Sequence, residues 1–233
     1  MPAVPTTPKG KRTREHILAA ARRVFARDGF VGATMSNIAD EAGISLGGLY
    51  RYFTNKEDVF ESLISGIHEE LFQASGATGQ DFRSRPFEAL LSANRGYLGC
   101  YHANRDVMRT LVEAANVDAR FRDFWWKMRD RHIDRFVAAL SKQHGIDQID
   151  GRPARLAAEA AACMVEQSAY LWFAHESLHG EPVTVDDAAA IVTRAWYSLF
   201  FSQDSPAAPL SAPADATRQT TGNGTEDRAP DRD

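Results

Sequence analysis

The chain has 233 residues, 44% of them hydrophobic and 25% charged, which is enough apolar material for one small and one larger packed unit. No stretch approaches the roughly 20 apolar residues that span a bilayer, MPAVPTTPKGKR at the start lacks the apolar core of a secretion signal, and two cysteines without a CxxC spacing point to a reducing cytoplasm. The net charge of −4 excludes a uniformly basic nucleic-acid binder, but residues 1–56 hold nine Lys/Arg against four Asp/Glu and the remainder 18 against 27, a basic head on an acidic body.

Residues 1–12 are rich in Pro, Thr and Lys and predict a flexible basic arm, in which Lys9, Lys11 and Arg12 either meet phosphate or a minor groove or are simply solvated. From Arg14 to Asp28, Ile17, Leu18, Ala21, Val24 and Phe25 fall on one helical face, and Gly29 ends it. Thr34 is an expected N-cap for a short helix with Ile38, Ala39 and Ala42 at helical spacing. Gly43 stands where a helix end wants a left-handed residue, with Ile44 turned inward. Ser45 then caps a second short helix with Leu49 and Phe53 inward. Asn55 caps a third, whose positive N-terminal end suits Glu57 and Asp58. Two helices of about two turns joined by a Gly-containing turn are a helix-turn-helix, whose second helix enters the DNA major groove.

Beyond Lys56, Phe60, Leu63, Ile64, Ile67 and Leu71 continue a connecting helix. Residues 75–86, SGATGQDFRSRP, break the pattern as a loop. Further helices are expected near 86–102, 105–116, 118–144, 153–179 and 184–203, punctuated by Gly145, Gly151 with Pro153, and Gly180 with Pro182. Nothing alternates like a strand for long, and no repeat is present. The expected fold class is therefore all-α: a three-helix head at 13–58, a larger helical domain at 59–203, and a disordered Pro/Ala/Ser/Thr-rich tail at 204–233.

The run TREHILAAARRVFARDGFVGATMSNIADEAGISLGGLYRYFTNK, residues 13–56, resembles the head of the TetR family of transcriptional regulators. Arg14, Ile17, Ala20, Ala21, Phe25, Gly29, Thr34, Ile38, Ala39, Ala42, Gly43, Ser45, Gly47, Leu49, Tyr50, Phe53 and Lys56 carry the likeness in one unbroken register. It implies a ligand-responsive DNA-binding regulator, a repressor released from a palindromic operator, and no enzyme. It also implies backbone contacts from Thr34, Tyr50 and Lys56, with Tyr52 near the groove wall. Base reading falls to Ser36, Ser45, Leu46, Gly47 and Gly48. That set offers no Arg for guanine and no Asn or Gln for adenine, so specificity is expected to lean on shape, water and half-site symmetry.

In family members of this layout the body encloses a small-molecule site and the last two helices pair with a second subunit. Asn94, Tyr97, Tyr101, Trp125, Met128, Met164, Gln167 and Tyr170 are the candidate pocket residues for a mostly apolar organic effector. The charges of residues 118–136 are expected to pair i,i+4 on a solvated face, or Arg122, Lys127 or Arg129 holds an anionic head group at the pocket mouth. Ala154, Ala157, Ala158, Ala160, Ala161, Ala162, Ala169 and Ala174, with Ile191, Ala195, Leu199 and Phe200, suit a four-helix homodimer seam about a two-fold axis.

One rival motif is present. His175-Glu176-Ser177-Leu178-His179 matches HExxH, which needs both histidines on one helix face around Zn²⁺ and the glutamate as base. Gly180 and Pro182 end the helix just past it, and Glu181, Asp186 and Asp187 lie too close to supply a third ligand. No metal, cofactor or catalytic residue is therefore expected, and Cys100 and Cys163 are expected to be buried thiols.

Overall fold

The computed structural model describes residues 6–77, 79–175 and 181–201. Its helices are α1 (Pro8–Gly32), α2 (Met35–Glu41), α3 (Leu46–Tyr50), α4 (Lys56–Ala74), α5 (Pro86–Ala103), α6 (Arg105–Val117), α7 (Ala119–His144), α8 (Ala154–Ala169) and α9 (Val185–Phe201). A π-helical turn, Tyr170–Ala174, extends α8. The expected tail lies outside the described residues.

The caps expected from the sequence form. Thr34, Ser45 and Asn55 side chains accept from the N–H groups of Asn37, Gly48 and Asp58, satisfying donors that a helix start leaves open. Gly43 takes φ 63° after α2. The first helix begins earlier than expected. Thr7 caps it by accepting from Gly10 N, and Pro8 occupies its first turn, where a missing N–H costs nothing. Lys9, Lys11 and Arg12 therefore stand on helical turns and not on an arm. α1 is kinked at Gly29, whose φ 68° and ψ 178° belong to a region that only glycine occupies without strain.

A second difference is a small hairpin. Gln148–Ile149 (β1) pairs antiparallel with Arg152–Pro153 (β2) across Asp150 and Gly151, both at positive φ, as an Asp-Gly turn favours.

Head and body share one core. Phe30 and Phe60 meet Phe121 of α7 with ring centroids 5.0 and 5.2 Å apart, and Phe25 packs on Phe60 at 4.8 Å. α6 lies along α1, and α5 along α9. Asn94 donates to Thr193 Oγ1 at 2.9 Å inside the α5–α9 contact, so neither buried polar group is left unpaired. Gly96 permits the closest approach: a Cβ there would stand 1.9 Å from Ala74 O at the end of α4. Apart from Arg120, which pairs with the cap residue Asp118, the charges of α7 that form ion pairs do so with other helices. Arg131 meets Glu69 of α4, and Asp130 and Asp134 meet Arg155 of α8, which replaces the i,i+4 face expected.

Candidate nucleic-acid interface and internal cavity

The α2–turn–α3 unit is held from behind by Ile38, Ala39, Leu49 and Phe53, all buried, and by His16, whose Nε2 donates to Ala42 O at 2.9 Å. Its outer side presents Ser36, Ser45, Leu46, Gly47 and Tyr50 to solvent, with Gly48 half-buried. Leu46 is 42% and Tyr50 49% exposed. The Tyr50 hydroxyl has no hydrogen-bond partner among the described residues. A Cβ at Gly47 would meet nothing within 4 Å, so backbone there is open to close approach.

Three expected contact residues are otherwise engaged. Thr34 accepts from Asn37 N at 3.1 Å and donates to Asn37 Oδ1 at 2.9 Å. Tyr52 is half-buried against the core. Lys56 donates from Nζ to the carbonyls of Phe30, Val31 and Ala33 at 2.8, 3.0 and 3.0 Å, and lies over the Phe30 ring at 5.0 Å. Its ammonium closes the end of α1 instead of standing free for phosphate.

The carboxylate of Glu113 on α6 complements that ammonium by accepting from Phe30 N at 3.0 Å and Val31 N at 3.1 Å. A Cβ on Gly29 would stand 2.6 Å from that carboxylate. Arg22 adds a second tie between head and body, bonding Asp106 Oδ1 and Oδ2, Asn104 Oδ1 and Ala103 O.

Four exposed head cations make no side-chain hydrogen bond or ion pair among the described residues, Lys9, Lys11, Arg12 and Arg51, whereas Arg14 donates to Ser62 Oγ at 2.7 Å. Arg51, directly after Tyr50 at the end of α3, is absent from the sequence-derived contacts. Its one sequence signal is its position, a single residue past a motif tyrosine.

In the body, a cavity of about 830 Å³ opens between α4, α5, α6, α7 and α8. Asn94, Tyr97, Tyr101, Trp125, Met128, Gln167 and Tyr170 line it together, whereas Met164 does not and packs on the core. Burial raises the pKa of both the Tyr97 and the Tyr101 hydroxyls above the ordinary tyrosine value. Inside the wall Arg129 forms an ion pair with Glu166, which also accepts from Trp125 Nε1 at 3.4 Å. Arg129 is thus already neutralised by Glu166, and neither Arg122 nor Lys127 lines the cavity, so the three expected anion holders are not free cations in its wall.

α8 and α9 each leave one face uncovered. On α8 it is Leu156, Ala160, Cys163 and Gln167, and on α9 Ala190, Ile191, Arg194, Ala195, Ser198 and Leu199. Ala154, Ala158, Ala161, Ala169 and Ala174 face inward, as does Phe200. They belong to the core and not to a seam, and Cys163, expected to be buried, is exposed.

The HExxH pattern loses its premise, because the helical turn stops at Ala174 and His175 adopts extended φ −100°, ψ 125°. Glu176 and His179 lie outside the described residues. Among the described residues no three His, Cys, Asp or Glu side chains gather as a metal site, and no helix is long and apolar enough to cross a membrane.

Residues 17–63 match the family model described as bacterial regulatory proteins, tetR family. The HTH-type transcriptional regulator YfiR of Bacillus subtilis, itself uncharacterised, is 33% identical over 162 residues, which are 65% of this chain and 74% of that one. The HTH-type transcriptional repressor KstR2 of Rhodococcus jostii is 30% identical over 137 residues, 53% of this chain and 66% of that one. A solved structure from Syntrophomonas wolfei, assigned to the TetR-family transcriptional regulators, superposes with TM-score 0.67 at 17% identity over 83% of this chain and 97% of its own.

Proposed function

Since the chain belongs to the TetR family of DNA-binding transcriptional regulators, we propose a homodimeric repressor that leaves a palindromic operator when a mostly apolar small molecule fills the body. The chain is a regulator and not an enzyme. The observation that carries the ligand-responsive part is the cavity itself, because its walls are also the supports of the head. α6 contributes Met108 and Val112 to the cavity while its Glu113 and Thr110 bond α1 at Phe30, Val31 and Phe25. α4 begins at Lys56 under the head and ends with Leu71 in the cavity wall. A molecule that moves α6 or α4 moves the head, and the coupling is reciprocal: operator weakens effector binding by the factor by which effector weakens operator binding.

The uncovered faces of α8 and α9 support a dimer about a two-fold axis. Leu156 is 54% and Ile191 59% exposed in the single chain, and pairing these faces removes that apolar surface from water. The two heads then read successive major grooves about 34–36 Å apart, with Ser36, Ser45, Leu46, Gly47 and Gly48 toward the bases and Tyr50 and Arg51 toward the backbone. The sequence-level expectation that Leu46 and two glycines read shape more than base-edge hydrogen bonds is retained in this proposal.

Selection of random duplex DNA by the purified chain tests the proposal, with Tyr50→Ala as control. A two-fold symmetric site that the control binds at least about tenfold more weakly, through loss of a phosphate hydrogen bond and its packing, supports it. Folded dimers that enrich no sequence would overturn it. Lys56→Ala is a poor control, since it also removes the closure of α1.

A further inference from the structure

The cavity holds a second arginine whose circumstances differ from those of Arg129, and it bears on the chemistry of the effector proposed above. α7 lines the cavity from Trp125 to Gln143, with Met128, Arg129, His132, Arg135, Phe136 and Ala139 between them, and about 15 Å of helix separates Trp125 from Arg135 at 1.5 Å per residue. Arg135 donates from Nη1 to Phe72 O at 2.6 Å and from Nη2 to Ser75 O and Oγ at 2.9 and 2.6 Å. Its guanidinium also lies over the Phe72 ring at 4.0 Å. All these acceptors are neutral, and no carboxylate among the described residues forms an ion pair with it.

A guanidinium carries five N–H donors. Three are spent here, leaving Nε–H and one Nη1–H without a partner among the described residues. The neighbouring charges do not compensate. Asp81 also lines the cavity, but it forms no ion pair with Arg135 and does not figure among the charges that shift it. Arg131 is paired with Glu69. Burial, and then the charge of Arg131, pull the Arg135 pKa below its ordinary value, so the folded chain bears a cost that an anion would relieve. Around it the walls are apolar: Leu71, Leu90, Phe136, Val165 and Trp196.

We propose that the effector is an amphipathic acid: a long apolar body lying along α7, with one carboxylate accepting from a free N–H of Arg135. One cation without an anionic partner matches one singly charged acceptor, and because the free Nε–H and Nη1–H diverge, a carboxylate takes one of them. The inference rests on the reading of this cavity as the effector site.

The full chain is titrated calorimetrically, without DNA, with sodium dodecanoate and with dodecan-1-ol near neutral pH and below micelle formation. Wild type should prefer the acid by about tenfold or more, the discrimination one charge-assisted hydrogen bond supplies. Arg135→Gln should bind acid and alcohol about equally, and Arg135→Lys should keep a preference for the acid. Alcohol binding by Arg135→Gln reports that its cavity is intact. Three results overturn the proposal: no acid binding by wild type, equal affinity for both probes in wild type, or an acid preference that survives Arg135→Gln. A protein that selects an operator yet ignores dodecanoate removes this inference alone. One that binds dodecanoate selectively but enriches no DNA removes the repressor reading alone.

Discussion

An ammonium group has three N–H donors, and at Lys56 all three end on carbonyls, those of Phe30, Val31 and Ala33. These carbonyls follow the Gly29 kink, where α1 has lost its regular hydrogen bonding. Glu113 meets the N–H groups of the same short segment. One cation and one anion from two other helices therefore complete the backbone bonding that the kink interrupts. Truncating Lys56 leaves half-buried carbonyls without a donor, at a cost of about 1–3 kcal/mol. Lys56→Ala should accordingly lower the unfolding free energy by about 2 kcal/mol, read from urea denaturation with unchanged slope. A loss below about 0.5 kcal/mol would class these bonds with surface contacts of little worth. Gly29→Ala attacks the same segment from the other side, through strained φ and displacement of the Glu113 carboxylate.

Among the elements, α3 is the least self-sufficient: five residues, LGGLY, two of them glycine. It stands because Ser45 caps it and Leu49 is fully buried, not through propensity, which glycine reduces by about 1 kcal/mol per position. Gly47 has open space where a Cβ would go, so its retention has no packing reason. Gly47→Ala should leave the melting temperature unchanged or raise it, while weakening operator binding about tenfold if backbone meets base edges there. Equal operator affinity in this variant would remove close approach from the recognition mechanism. The head is legible in sequence because caps, turn glycine and apolar spacing are local signals that agree with one another. The start of α1 is not, because Thr7 and Pro8, a cap and a first-turn proline, also have the composition of an arm. The uncovered face of α8 is hidden for a different reason. Alanine serves an inward face and an outward face equally, so the eight alanines between Ala154 and Ala174 carry no directional signal, and only the exposure of Leu156, Ala160, Cys163 and Gln167 sets the outer stripe. Arg135 is invisible in sequence because whether an arginine has a carboxylate partner depends on neighbours from α4, far away in the chain.

For the molecule as a whole, the cavity wall also sets a limit on acid stability. His132 sits there with Phe72 and Tyr97 rings at 5.3 and 5.6 Å, His68 at 5.9 Å and Ser75 Oγ 3.1 Å from Nδ1. Burial first, then the charges of Arg135, His68 and Arg131, push its pKa down to about 3. An unfolded histidine titrates near pH 6.5, at about the ordinary value. As pH falls below that point the unfolded chain takes up a proton that the folded chain refuses, so stability is complete above about pH 6.5 and declines through the window down to about 3, by about 1.4 kcal/mol per pH unit. His68 is shifted in the same direction, by burial and then by Arg131, and adds to the decline. Asp28 and Glu41, held below the carboxylate range by Arg27 and Arg23, lose their stabilising charge at lower pH, so the interval from about pH 6.5 to 5 isolates the histidines. Urea midpoints across that interval should fall steeply for the wild type and less steeply for His132→Gln, with His68 supplying the remaining slope. Parallel slopes for the two proteins would mean that His132 is hydrated enough to protonate in place. The cavity would then be wetter around Arg135 than an apolar-bodied effector requires, so this stability measurement also constrains the ligand chemistry.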